Sequence, residues 1–174
     1  MALRSGEIEP HVPKGLVFAA GVMGGLLMTV TVAVAQAADL TAMNLGRLVG
    51  TLFTGAPSLG TWWLGAGVHL FISGLVALVY EAAFRALGHS GIWMGALLGV
   101  VHWILSGLFL GVLPSIHPAV PEIVPAPGMF AIQLNLFSML LFFLLHVVYG
   151  AVVGGIYHMA AVESQAQIRR VVMT

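Results

Sequence analysis

"TWWLGAGVHLFISGLVALVYEAAF" occupies residues 61–84, and its reading decides the fold. From Thr61 to Tyr80 it carries no charged side chain, and only then meets Glu81. At 1.5 Å per residue, about 20 apolar residues cross the hydrocarbon layer of a bilayer. The stretch is long enough to span as a helix. It shows no alternation of polar and apolar residues, and an open sheet edge has no partners in lipid. Its one discordant residue is His69, at the depth of acyl chains.

Composition extends this reading to the whole chain. Of 174 residues, 60% are hydrophobic and 7% charged, against about 25% charged in a typical soluble domain. Mean hydropathy is +1.05. Net charge is zero, so neither a nucleic-acid partner nor a polybasic lipid anchor is indicated. The absence of cysteine removes disulfides, iron–sulfur clusters, thiolate zinc sites and covalent haem attachment. A single membrane domain over 1–174 is expected.

Three further spans are predicted, at about 16–37, 92–113 and 134–157, the last with a soluble extension to Arg170. The fold class is therefore all-α, a four-helix transmembrane bundle. The first span ends in "AVAQAAD" (33–39), which resembles a signal peptidase site. Its apolar run is longer than a signal-peptide core, and Glu7 and Glu9 precede it, so retention is expected.

With four spans, Arg4, Lys14, Arg85, Arg169 and Arg170 share one side of the membrane, and Arg47 alone lies on the other. The positive-inside rule then places both termini in the cytoplasm, in what reads as a bacterial inner membrane. The connection 38–60 contains an amphipathic helical pattern over 39–54, with Asp39 or Thr41 as its cap, expected to lie on the outer surface. The connection 114–128, "PSIHPAVPEIVPAPG", holds five of the eight prolines and is expected to run extended over the outer mouth.

Small residues recur in steps of four. Gly21 and Gly25 do so in the first span, Gly91, Gly95 and Gly99 in the third, and Gly150 and Gly154 in the fourth. Lipid provides no hydrophobic drive for helix association, so close backbone contact through such rows is expected to replace it. The histidines extend the rows: Gly65, His69 and Ser73; Gly99, His102 and Ser106, where the first step is three; His146 and Gly150. They are therefore expected at helix interfaces, at estimated depths of about 12 Å for His69 and about 16 Å for His102 and His146. Hydrogen bonds to Ser73, Ser106 and Tyr149 are the simplest use for them. Glu81 and Arg85 are spaced to pair along one helix.

Chemically sharper uses exist. His102 and His146, at matching depth, are candidate axial ligands of a b-type haem or other tetrapyrrole, with Trp103 and Phe143 beside it. His69, His102 and His146, joined by His117 from the loop with Glu122, are candidate ligands for zinc or stations of a metal or proton route. Neither cofactor is required by the sequence. No complete catalytic set is present, so enzymatic activity is not expected. His89 and His158 read as interfacial surface residues.

The motifs G-x-x-x-H at 65–69, H-x-x-x-S-G at 69–74 and 102–107, and H-x-x-Y-G at 146–150 resemble those of small uncharacterised four-span bacterial membrane proteins. That resemblance implies topology and no activity. The expected function is an accessory subunit packed in the bilayer against a larger membrane complex or further copies of itself, with haem-based electron transfer and transport as the alternatives.

Overall fold

The computed structural model describes residues 11–173; Arg4, Glu7 and Glu9, used above for topology, lie outside them. The described chain is all-α, with helices α1 (Lys14–Ala37), α2 (Leu45–Thr54), α3 (Leu59–Leu87), α4 (Ile92–Val112) and α5 (Leu136–Val172), and no strand. Four of these, all but α2, are long and apolar enough to cross a membrane. Large apolar side chains such as Met23, Val79, Trp93 and Leu105 stay exposed around the bundle, as a lipid-facing surface requires.

Both described ends of the chain gather at one end of the bundle, where the His11 amide donates to Ser164 Oγ at 3.0 Å. The short α3–α4 turn lies at the same end, with Ser90 Oγ 3.1 Å from His158 Nδ1. At the opposite, loop end stand α2 and the proline-rich connection.

Three helices begin with a side-chain cap that satisfies a backbone N–H otherwise left without an intrahelical acceptor. Asn44 Oδ1 accepts from Arg47 N, Ser58 Oγ from Thr61 N, and Asn135 Oδ1 from Ser138 N. The α2 start differs from expectation. Asp39 turns the chain at a positive φ of 55°, and the Thr41 hydroxyl accepts from Met43 N and bonds Ser138. Neither is free to cap, so the helix begins six residues after Asp39, behind Asn44.

Backbone contact holds the bundle together at three glycine seams. In the first, Gly21 and Gly25 of α1 lie against Ser73 and Ala77 of α3. In the second, Gly95 and Gly150 face each other between α4 and α5, and a Cβ on either would overlap the other's carbonyl oxygen. Gly99 there meets the His146 carbonyl, and Gly154 meets that of Gly91.

The third seam is a departure. Gly50 lies against the Thr61 carbonyl, Gly65 against that of Gly46, and Gly46 against the Trp62 ring. So α2 does not rest on lipid alone. It is clamped onto the start of α3.

The helices thus sort into two halves. One is α1–α2–α3 and the other is α4–α5. They join chiefly where α1 packs on α5, with Tyr149 filling the space that a side chain at Gly24 would take. By contrast α3 and α4 barely touch.

The proline-rich connection also departs from expectation. It folds into successive turns, with the Val120 amide bonded to the His117 carbonyl and those of Ile123 and Val124 to the Ala119 carbonyl. Its own Ala119, Val120 and Val124 are buried. Prolines lack donors, yet the residues between them close the turns.

Candidate functional site

Two half-bundles that meet mainly along α1 and α5 leave a space between the other helices. It is a cavity of about 340 Å³ with a mostly apolar wall, reached by all five helices. Met28 and Val32 of α1, Leu48 of α2, Val76 of α3 and Leu145 of α5 supply part of that wall. His69, Ser73, His102, Ser106, His146 and Tyr149 bring polar atoms to it. Ligand sites have this character: apolar, about 300 Å³ or more, with a few convergent polar groups.

The three intramembrane histidines line one cavity although they come from three different helices. His102 and His146 are in direct edge-to-face contact, with ring centroids 4.7 Å apart. Tyr149 completes the cluster, with its ring 5.6 Å from His102 and 5.7 Å from Tyr80. Its hydroxyl donates to the Ser73 carbonyl, tying α5 to α3.

The hydrogen-bond partners differ from those expected. Ser73 Oγ donates back to the His69 carbonyl at 2.8 Å, the usual habit of a helical serine. The partner of His69 Nδ1 is instead Thr29 Oγ1 on α1, at 2.9 Å. His102 Nδ1 stands 3.4 Å from the Tyr80 hydroxyl. His146 Nδ1 donates to the Phe142 carbonyl at 2.7 Å, within its own helix.

Thr29 continues the Gly21–Gly25 step of four, and Tyr80 lies three residues past Ala77. Both positions were legible as facing an interface. What was not legible was which ring each would meet.

His69 and His146 are bonded through Nδ1, the Nδ1 of His102 faces the Tyr80 hydroxyl at longer range, and among the described residues none of the three has a partner at Nε2. Among the described residues the one sealed polar side-chain atom without a partner is Trp103 Nε1. The three Nε2 atoms and the Ser106 hydroxyl are therefore not sealed, and the cavity is the space their side chains share.

The other candidates fall elsewhere. His117 lines the loop end of the cavity, but its Nε2–H donates to the Leu48 carbonyl at 2.7 Å and its Nδ1 accepts from the Ala119 amide at 3.1 Å. No lone pair is left for a metal. It is a pin between the loop and α2.

Among the described residues no three His, Asp or Glu side chains come together as a metal-holding group. Glu122 is exposed on the loop and is not among the residues that line the cavity. Axial ligation of a tetrapyrrole requires the macrocycle plane to stand between the two imidazoles. In this arrangement the His102 and His146 rings touch directly, so the two do not fit that group. Trp103 and Phe143 meet edge to face at 5.1 Å and Trp103 meets Phe130 at 4.7 Å, a cluster outside the cavity wall.

Glu81 is buried among the helices, while His89 is exposed, with Nδ1 2.8 Å from the Leu87 carbonyl. His158 is exposed too, beside Ser90.

The fold and its lipid-facing surface define a multi-pass helical membrane protein. Comparison with protein-family models, curated proteins and solved structures finds no match to this chain.

Proposed function

We propose that this protein binds a small lipid-soluble molecule in the cavity between its two halves. The observation that carries this reading is the convergence of three imidazoles and a serine hydroxyl on one mostly apolar space at membrane depth. Polar groups facing hydrocarbon are costly, and intramembrane ionisable residues serve function by default. A measured interhelical hydrogen bond contributes only about 0.6 kcal/mol, a modest reason to place three histidines there.

The route of entry is lateral. The weakly closed seam between α3 and α4 carries Ile72 and Phe109, both cavity-lining and both exposed at the bundle surface. A molecule dissolved in the bilayer reaches the space there without crossing water.

The test is gentle purification followed by solvent extraction and mass spectrometry of what accompanies the chain. A defined small molecule is expected, and Ser106→Phe, which fills the cavity, should release it. The same lipid background in both proteins would overturn the reading.

Lys14, Arg85, Arg169 and Arg170 lie at the termini end and Arg47 at the loop end. This supports cytoplasmic termini and a cavity in the outer half of a bacterial inner membrane. The chain has no cysteine, so one placed at Ser115 should react with an impermeant maleimide added outside, and protection there would reverse the orientation.

One observation favours a second reading, that of a subunit in a larger membrane complex or a homo-oligomer. Helix α5 has 37 residues and is about 55 Å long, well beyond the hydrocarbon thickness. Its overhang ends with Val172 and Met173, which are 73% and 84% exposed. Apolar surface standing outside the bilayer core is what a partner covers. Co-purification in mild detergent with larger chains is expected, and migration as a solitary monomer would remove this reading.

A further inference from the structure

The hydrogen-bond geometry around the histidines carries the ligand's chemistry further. His146 Nδ1 lies 2.7 Å from the Phe142 carbonyl, which can only accept. The proton is therefore on Nδ1, and in the neutral ring Nε2 is left as a lone-pair acceptor. The tautomer of His69 follows from the bond its partner makes to its own helix. Thr29 Oγ1 donates its single proton to the Gly25 carbonyl at 2.9 Å. Its contact with His69 Nδ1 is then one in which the hydroxyl oxygen accepts and Nδ1–H donates.

His69 thus also holds its proton away from Nε2. The His146 ring is locked by a backbone partner, and the bond Thr29 makes to Gly25 favours the same tautomer in His69. The 3.4 Å approach of Tyr80 to His102 is too long to lock the third.

We infer that the cavity selects an apolar molecule bearing a hydrogen-bond donor, of the hydroxyl class — a phenol, hydroquinone or long-chain alcohol — over the same molecule with its donor blocked. This rests on the proposed ligand-binding role of the cavity and specifies what that role prefers. A donor in hydrocarbon has no water to leave behind, so its bond to Nε2 is gained with little competing desolvation. A ketone or ether brings only acceptors to His69 and His146 and finds none of this.

The experiment uses the full chain, with its histidines labelled with nitrogen-15, in phosphatidylcholine nanodiscs. The probes are 4-octylphenol and its methyl ether, 4-octylanisole. Without probe, the imidazole spectra should show His146 and His69 protonated at Nδ1. On titration the phenol should move their Nε2 resonances and bind about tenfold more tightly than the ether, the effect of about one hydrogen bond.

His146→Phe should shrink that preference while the ether still binds. Equal affinity for phenol and ether, with cavity resonances shifting for both, overturns donor selection and leaves the cavity reading intact. Protonation of His146 at Nε2 in the free protein overturns it as well. Failure of both probes to move any cavity resonance overturns the inference and counts against the binding role itself.

Discussion

Replacing Gly95 by alanine tests the idea that glycine contact holds the second half-bundle together. A Cβ at this position would overlap the Gly150 carbonyl oxygen and crowd the Gly154 Cα, both of them backbone. Backbone cannot swing aside as a flexible side chain can, so α4 and α5 must separate by about 1 Å to restore normal contact distances. A gap of that size forfeits up to about half of each dispersion well, and a well is about 0.15 kcal/mol deep per atom pair. Over about 40 pairs along the Gly91–Gly99 seam, the loss is about 3 kcal/mol.

The control is Gly67→Ala in α3, where an added Cβ meets nothing within 4 Å. That change should be neutral or stabilising by up to about 1 kcal/mol, because alanine favours helix. Reversible unfolding in mixed micelles, followed by tryptophan fluorescence, measures both. A Gly95→Ala protein as stable as Gly67→Ala would refute the close-contact account of this interface.

Two further outcomes follow from the geometry. Tyr149→Phe keeps the ring against Gly24 and removes the hydroxyl that donates to the Ser73 carbonyl, so a loss of about 1 kcal/mol is expected in the same unfolding assay; an unchanged midpoint would mean the bond contributes nothing. His117→Ala strips partners from the Leu48 carbonyl and the Ala119 amide, costing about 2 kcal/mol and freeing the loop. Hydrogen exchange at Ala119 should accelerate, and intact protection there would show that the prolines hold the loop unaided.

Much of this architecture could be read from residue spacing, because a membrane leaves few choices. Charge-free stretches of 20 residues have to be helices, and steps of four mark the faces that meet. Periodicity places a side chain on a face but does not say which neighbour that face finds. Ser73 looked like the partner of His69 because it is one turn away, yet a helical serine satisfies itself on its own backbone and leaves the ring to Thr29. The same gap explains α2. Gly46 and Gly50 repeat the step of four, but an amphipathic helix between two spans reads equally as a surface helix, and only the fold brings Gly65 beneath it. The cavity was not legible at all. A void is the place where packing stops, and a one-dimensional pattern records only side chains that are present. It exists because α3 and α4 scarcely meet, a relation between elements that adjoin in sequence and so invite the opposite expectation.

That near-absence of contact has a consequence for how the protein is made. Only the turn around Gly88 to Gly91 links α3 to α4 along the chain, and each side of it owns a complete seam of its own. During synthesis the first pair of spans can zip together in the bilayer before the second pair has left the ribosome. Docking of the two hairpins through α1 and α5 would then close the molecule, and the chamber between them would form only in that last step.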